Sequence, residues 1–418
     1  HQLNPVYSVM GFLSDRLLDL LKLGTAFAKL RGCEVKLFDF MLPTPQGAVL
    51  KRQSKIETQL PPDEPIRWCF GKPWDEFDAY LANLNHQGWI PDYVWITTLT
   101  SFWWQTAPLV ANRVKNVRKR PTVVLYGNYP ALETQHAVQF CSNIDIVVKD
   151  HSIGLDAYPA DFSLYEGQPL GFCALDLHGS TVREEIAEAI SRGVSHFVFF
   201  NDNLFADFAT RLQPLLQEVV ARKWDVRFHG ICGIQTQDFP THAAKLLADA
   251  HFTELHFEPA YDEEGLVDEP RYRAVMQACE EAGFVSRRGN GWESRSHYVS
   301  GFLWIGKPDD DLDKLVWNAL KLLQLVGMVI PKPYSPTPGS DAYALLASKV
   351  ESLMPQDVSP HRLPFAGWNG IEKADYEDLY RMTAFLNSKV RSHTFDFLGD
   401  TYLAQVIRES LAGRRWDI

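Results

Sequence analysis

Tyr93-Val94-Trp95-Ile96-Thr97-Thr98-Leu99-Thr100-Ser101-Phe102-Trp103-Trp104 decides the class of fold. Its first six residues are an apolar run of strand length, aromatic and β-branched. Thr106–Val117 follows as a helix, with Val110, Val114 and Val117 on one face. Thr122–Tyr126 and Ile144–Val148 are two further apolar strands. Upstream, Ser14–Leu30 carries Leu20, Leu23, Phe27 and Leu30 at helical spacing, with Asp15 near its start and Gly32 just past its end. Glu34–Phe40 reads as a strand, and Leu42–Pro65, rich in Pro, Gln and charge, as a loop. Strands alternating with helices imply a parallel, doubly wound sheet. Ligands of such sheets bind at the carboxyl ends of the strands.

Two strand ends stand out. Thr97, Thr98, Thr100 and Ser101 give four hydroxyls, followed by the rings of Phe102, Trp103 and Trp104. Such a loop can hold polar groups and cover a flat apolar surface. Tyr126-Gly127-Asn128-Tyr129-Pro130 is a glycine turn at which backbone can approach a ligand closely. Ordinary strand-to-helix turns would look the same on chemistry alone.

From Leu170 the rhythm is regular, with strands at Phe172–Leu177, His196–Phe200, Asp225–Phe228, Glu254–Phe257, Val299–Ile305 and Met328–Lys332. Helices follow at Thr181–Arg192, Ala206–Ala221, Thr241–Ala250, Pro270–Ala282 and Asp311–Leu325, and Thr181 with Glu184 fits a capping box. Six such units are too few for a closed eight-fold barrel and suit a partial one. Asn201-Asp202-Asn203, then His229 and Gly230, then His256, Glu258 and Tyr261, lie at strand ends and would face one mouth. Singly, each has an ordinary structural reading; as a set, they suit an amino-acid-like ligand or acid–base work.

The 418 residues, 46% apolar and 22% charged, describe a globular chain of two or three domains. No apolar run reaches the ~18 residues of a membrane span. A net charge of −11 argues against a broad nucleic-acid surface, and Lys115, Arg118, Lys119 and Arg120 read as a solvated face. The six cysteines are dispersed, which suits reduced thiols in a cytoplasmic protein; Cys33 and Cys279 read as core residues. The chain opens on His1 rather than Met, which reads as trimming of the gene product.

Leu23-Gly24 in the opening helix, Pro91–Ile96 leading into the Thr/Ser-Phe loop, and Val124-Leu125-Tyr126-Gly127-Asn128-Tyr129-Pro130-Ala131-Leu132 together resemble the cobalamin-binding domain that precedes radical S-adenosylmethionine barrels. Phe199–Phe205, Leu255-His256-Phe257-Glu258-Pro259, Gly301–Pro308 and Pro336-Thr337-Pro338-Gly339-Ser340 resemble the barrel itself, in order and spacing. The resemblance implies a Rossmann-like cobalamin domain over 1–155, a partial (β/α)6 barrel over 165–345 and a mostly helical region over 346–418. It implies cobalamin contacts at Leu23, Gly24, Thr98, Thr100, Ser101, Phe102, Trp103, Gly127, Asn128 and Tyr129. It implies S-adenosylmethionine contacts at Asn201, Asp202, Asn203, His229 and Glu258. The activity implied is methyl transfer to an unactivated carbon of a small molecule, with an external electron donor. Residues 284–298 and the C-terminal region would shape the substrate site.

The chain departs from the family at three points. The Asp-x-His-x-x-Gly motif is absent, so no His of the first domain would ligate cobalt. Asn128 stands where a second glycine is usual, and Lys149–Gly154 replaces an expected Gly-Glu-Gly-Glu-like turn. Most consequential, the family's Cys-x-x-x-Cys-x-x-Cys, which holds a [4Fe–4S] cluster, is missing. Cys173 lies within a strand, and His178 is followed directly by Gly179 and the next helix. Either the active protein has a cluster loop between His178 and Gly179 that this sequence lacks, or the chain is a cluster-free relative that binds cobalamin as a sensor, carrier or non-radical enzyme.

Overall fold

Parallel strands and covering helices recur along most of the chain, as the alternating pattern requires. The computed structural model describes residues 16–42, 51–54, 67–98, 101–117, 120–150, 154–165, 173–199, 201, 203–286, 297–349, 353–358 and 370–391. The chain divides into two units, His1–Val198 and Phe199–Ile418.

In the first unit, β1 (Lys51–Ser54) and β2 (Arg67–Phe70) pair antiparallel. β1 falls inside the segment expected to be loop. β3 (Tyr93–Thr97), β4 (Thr122–Tyr126) and β5 (Ile146–Val147) form a parallel sheet in that order. Val123–Tyr126 are buried, the pattern of a strand covered on both faces. The helix Thr106–Lys115 buries Ala107, Ala111 and Val114. The helix Arg16–Arg31 sets Leu23 into a core with Tyr126 and Leu155.

Glu34–Phe40 joins no ladder among the described residues. Its aromatics pack instead on the helix Trp74–His86: Phe38 lies 4.9 Å from Phe77 and 5.0 Å from Tyr80, and Phe40 lies 5.3 Å from Trp74. Further along, β6 (Cys173–Leu175) and β7 (His196–Phe199) flank the helix Val182–Ser191. The expected capping box at its start does not form. Thr181 Oγ1 donates to Glu185 Oε1 at 2.9 Å, and that carboxylate also accepts from the Ala160 amide at 3.1 Å.

In the second unit, β8 (Arg227–Gln235), β9 (Phe252–Glu258), β10 (Val285–Ser286), β11 (Tyr298–Ile305) and β12 (Val329–Pro333) are joined by parallel pairings only. β11 is the hub, meeting β9 and β10 near its start and β12 near its end. Asp268 and Asp311 cap the helices Glu269–Glu281 and Leu312–Val326 through backbone amides at 3.2 and 3.0 Å. A Cβ at Gly301 would lie 3.2 Å from Val326 Cγ1 and 3.4 Å from Leu322 Cδ2, so this face of β11 packs on the helix. By strand alternation, Ser300, Phe302 and Trp304 point to the opposite face. The fold is therefore α/β with parallel-sheet cores, as the sequence pattern implies. No described helix is long and apolar enough to cross a membrane.

The C-terminal helix Lys373–Arg391 is tied into this sheet. Asn387 accepts from the Val329 amide at 2.9 Å and donates to the Val329 carbonyl at 2.7 Å. Asn387→Ala should destabilise the protein by about 1–3 kcal/mol, since two backbone groups lose their partner. Urea denaturation measures this, and an unchanged midpoint would show the pairing to be idle.

Candidate functional site

The carboxyl edge of β3 and β4 brings several expected residues together. Thr98 is buried, and its Oγ1 has no hydrogen-bond partner among the described residues. Gly127, at the end of β4, has φ 107° and ψ −161°, and a Cβ there would lie 2.5 Å from Thr97 Oγ1. The backbone at Gly127 thus closes on the Thr97 hydroxyl and, at 4.0 Å from such a Cβ, on the Thr98 carbonyl. The unsatisfied Thr98 hydroxyl lies at the strand end where such sheets bind ligands. Ser101 is buried, and Trp103 and Asn128 are half-buried beside them in sequence.

Other expected contacts are packed inward. Leu23 lies in the helix–sheet core, and a Cβ at Gly24 would lie 2.7 Å from Leu164 Cδ1. Tyr129 is fully buried, with its hydroxyl 2.7 Å from His136 Nδ1 and 3.6 Å from Cys141 Sγ. Trp104 stacks on Tyr129 and meets the His136 ring edge-on at 4.7 Å. Burial holds the His136 imidazole below its ordinary range and pushes the Cys141 thiol up. Thr100, residues 151–153 and the side chain of Phe102 lie outside the described residues.

The connection after β6 is short and closed. The Gly179 amide donates to the Asp176 carbonyl at 3.1 Å, and the His178 amide to Asp176 Oδ1 at 2.9 Å. The fully buried Lys22 reaches the same turn: its Nζ lies 3.4 Å from where a Gly179 Cβ would be. Cys173 is 2% exposed, and burial holds its thiol well above the usual range, which disfavours a thiolate ligand. Among the described residues, no group of three or more His, Cys, Asp or Glu could hold a metal ion. The residues present here therefore do not fit a cysteine-held [4Fe–4S] cluster.

The second unit carries a polar array on the strand face opposite the helices. His229, Glu254 and Tyr298 are register partners across β8, β9 and β11. Glu254 is 2% exposed; its Oε1 lies 3.2 Å from His229 Nδ1, its Oε2 lies 3.6 Å from His256 Nε2, and the Tyr298 hydroxyl donates to it. His256 Nδ1 bonds the Ser300 hydroxyl, and its ring stacks on Phe302 at 4.8 Å. Burial alone would raise the Glu254 carboxyl, but hydrogen bonds and charge from His229 and His256 outweigh it and bring it down to about 2.

Glu258, two residues beyond His256 on the same strand face, is half-buried against Gly233: a Cβ at Gly233 would fall 1.8 Å from its Oε1. His229 is thus engaged deep on the sheet with Glu254 and with Thr253 Oγ1 at 2.9 Å. Asn201 is half-buried, and Asn203 donates to Asp238 at 2.9 Å. Asp202 and residues 287–296 lie outside the described residues. Sequence reading passes over Glu254, Tyr298, Ser300 and Lys332. Alternation along β9 was the available signal, because Glu254, His256 and Glu258 are spaced by two.

No protein-family model matches the chain, and no curated protein matches it. Among solved structures, it resembles a radical S-adenosylmethionine methyltransferase, TsrM, from Kitasatospora setae, with cobalamin and a [4Fe–4S] cluster bound. Identity is 11%, coverage is 81% of this chain and 92% of that one, and the TM-score is 0.48. A second structure of that enzyme, with tryptophan substrate and an S-adenosylmethionine analogue, gives the same identity and coverage at a TM-score of 0.45. Likeness at this level assigns neither ligand nor activity to the chain.

Proposed function

We propose that this chain binds a corrinoid at the carboxyl edge of β3 and β4, and does so without a cysteine-held iron–sulfur cluster. The observation that carries the reading is the buried, unpartnered Thr98 Oγ1 beside the Gly127 turn, whose backbone approaches where no side chain fits. Thr98, Ser101, Gly127 and Asn128 would hold the corrinoid's polar edge, and Trp103 would shield an apolar face. When bound, cobalamin supplies an alkyl group for transfer. The protein's own contribution is to position it and exclude water.

The reading belongs to a domain of about residues 1–155, with 165–345 and 346–418 as the remaining divisions. The second unit would take a small-molecule substrate at its strand ends, near Asn201, Asn203 and Glu258. The closed Asp176–Gly179 turn supports the cluster-free form over radical methyl transfer.

Hydroxocobalamin titration of the whole chain, followed by gel filtration and absorbance, tests the reading. About one corrinoid per chain is expected, and Trp103→Ala should weaken retention about tenfold through lost apolar contact. Trp104→Ala is a poor probe, because Trp104 is core-packed with Tyr129 and His136. No retained corrinoid in the unsubstituted chain would overturn the proposal. Anaerobic treatment with iron and sulfide should leave no stable cluster. Iron retention with cleavage of S-adenosylmethionine would restore the radical reading.

A further inference from the structure

Lys332 stands near the end of β12, directly opposite Trp304 of β11 in the parallel register. Its ammonium lies 4.5 Å from the centre of the Trp304 ring and 4.8 Å from that of Phe302. Trp304 and Phe302 occupy the β11 face turned away from the helix Leu312–Val326, so Lys332 shares that face. Tyr334 continues the chain beyond β12. Its amide donates to the Ile305 carbonyl at 2.7 Å, and its ring meets Trp304 at 6.5 Å and 80°. Lys332, Trp304 and Tyr334 are all half-buried, whereas Phe302 beneath them is buried.

The charge on Lys332 has no counter-ion among the described residues. Among the described residues, its ammonium makes neither an ion pair nor a hydrogen bond; its partners are the two aromatic faces. Aromatic faces attract a cation and hold it in place, but they leave its charge and its three donors unsatisfied. A half-buried ammonium fixed in this way is arranged to meet an anion. It stands at the carboxyl end of parallel strands, where ligands of such sheets bind. The indole and phenol rings beside it offer a flat apolar corner.

We propose that Lys332, Trp304 and Tyr334 form a binding site for an organic anion, a carboxylate or phosphate carried on a flat apolar body. The ammonium receives the anionic group, and the Trp304–Tyr334 corner receives the body. The site lies wholly in the second unit and does not depend on corrinoid binding by the first.

Calorimetric titration of the whole chain with benzoate, phenyl phosphate and neutral benzamide tests the proposal. At least one anion should bind saturably while benzamide does not, and the preferred anion identifies the head group. Lys332→Met should weaken binding at least about tenfold, and Lys332→Arg should keep most of it, since a single charge-assisted contact is at stake. Circular dichroism of both variants checks the fold, and the retained binding of Lys332→Arg separates lost charge from lost structure. No saturable anion binding, equal binding of benzamide, or undiminished affinity in Lys332→Met would each overturn the site.

Discussion

Glu254→Ala is expected to cost about 3–5 kcal/mol of stability, because it removes the one acceptor that a buried polar array shares. The carboxylate is nearly inaccessible; it accepts from the Tyr298 hydroxyl, lies 3.2 Å from His229 Nδ1 and sits 3.6 Å from His256 Nε2. Its removal takes away the negative charge that two buried imidazoles and a phenol face, on a strand packed between two neighbours. Urea denaturation followed by circular dichroism measures the loss, and a change below about 1 kcal/mol would show that the array is not an interacting unit. The same group sets an acid dependence. Its pKa in the folded protein, about 2, lies below the ordinary 4.5. Its stabilisation is therefore fully present above about pH 4.5 and drains away as pH falls towards 2, by about 3 kcal/mol in all. Glu254→Ala should lose this part of the acid sensitivity along with the stability.

Gly127→Ala is expected to cost about 2–4 kcal/mol, from a backbone region that is essentially restricted to glycine and from a close approach. At φ 107° and ψ −161°, any side chain is strained, and the added methyl would stand 2.5 Å from Thr97 Oγ1. Thr97 sits in β3, where its backbone is held in register with Tyr126 of β4. The displacement would reach Thr98, so hydroxocobalamin retention should fall together with the melting temperature. Full stability in this variant would mean that the turn can adopt another conformation. Full stability with lost retention would isolate the turn as a ligand contact.

The strand–helix rhythm was legible because buried parallel strands are short apolar runs with clear boundaries. Each of the six strands expected after Leu170 forms, five of them within a few residues. The third runs from Arg227 to Gln235 rather than ending at Phe228, so His229 and Gly230 lie inside it and not at its end. Glu34–Phe40 shows where that logic stops. Val35, Leu37, Phe38 and Phe40 have strand composition, yet Phe38 and Phe40 serve a helix rather than a ladder. That helix, Trp74–His86, shows its own signal in Phe77, Leu81 and Leu84, which sequence reading passes over. Around the candidate sites the limit is register. His229, Glu254 and Tyr298 lie far apart in sequence and meet only because three parallel strands align at those positions. Lys332 faces Trp304 for the same reason. Gly127 was legible, because a glycine after a buried strand already marks a close approach, whereas the unpartnered Thr98 hydroxyl beside it is a property of packing alone.

Asn387 does more than make two bonds. A strand at the margin of a sheet exposes amides and carbonyls that another chain can use as a template. At Val329 both groups are already taken by one side-chain amide from the C-terminal helix, which imitates the backbone of a missing neighbour. The helix thereby blunts the start of β12 against intermolecular strand addition. The last described helix of the chain thus occupies backbone groups to which a second molecule could otherwise add a strand.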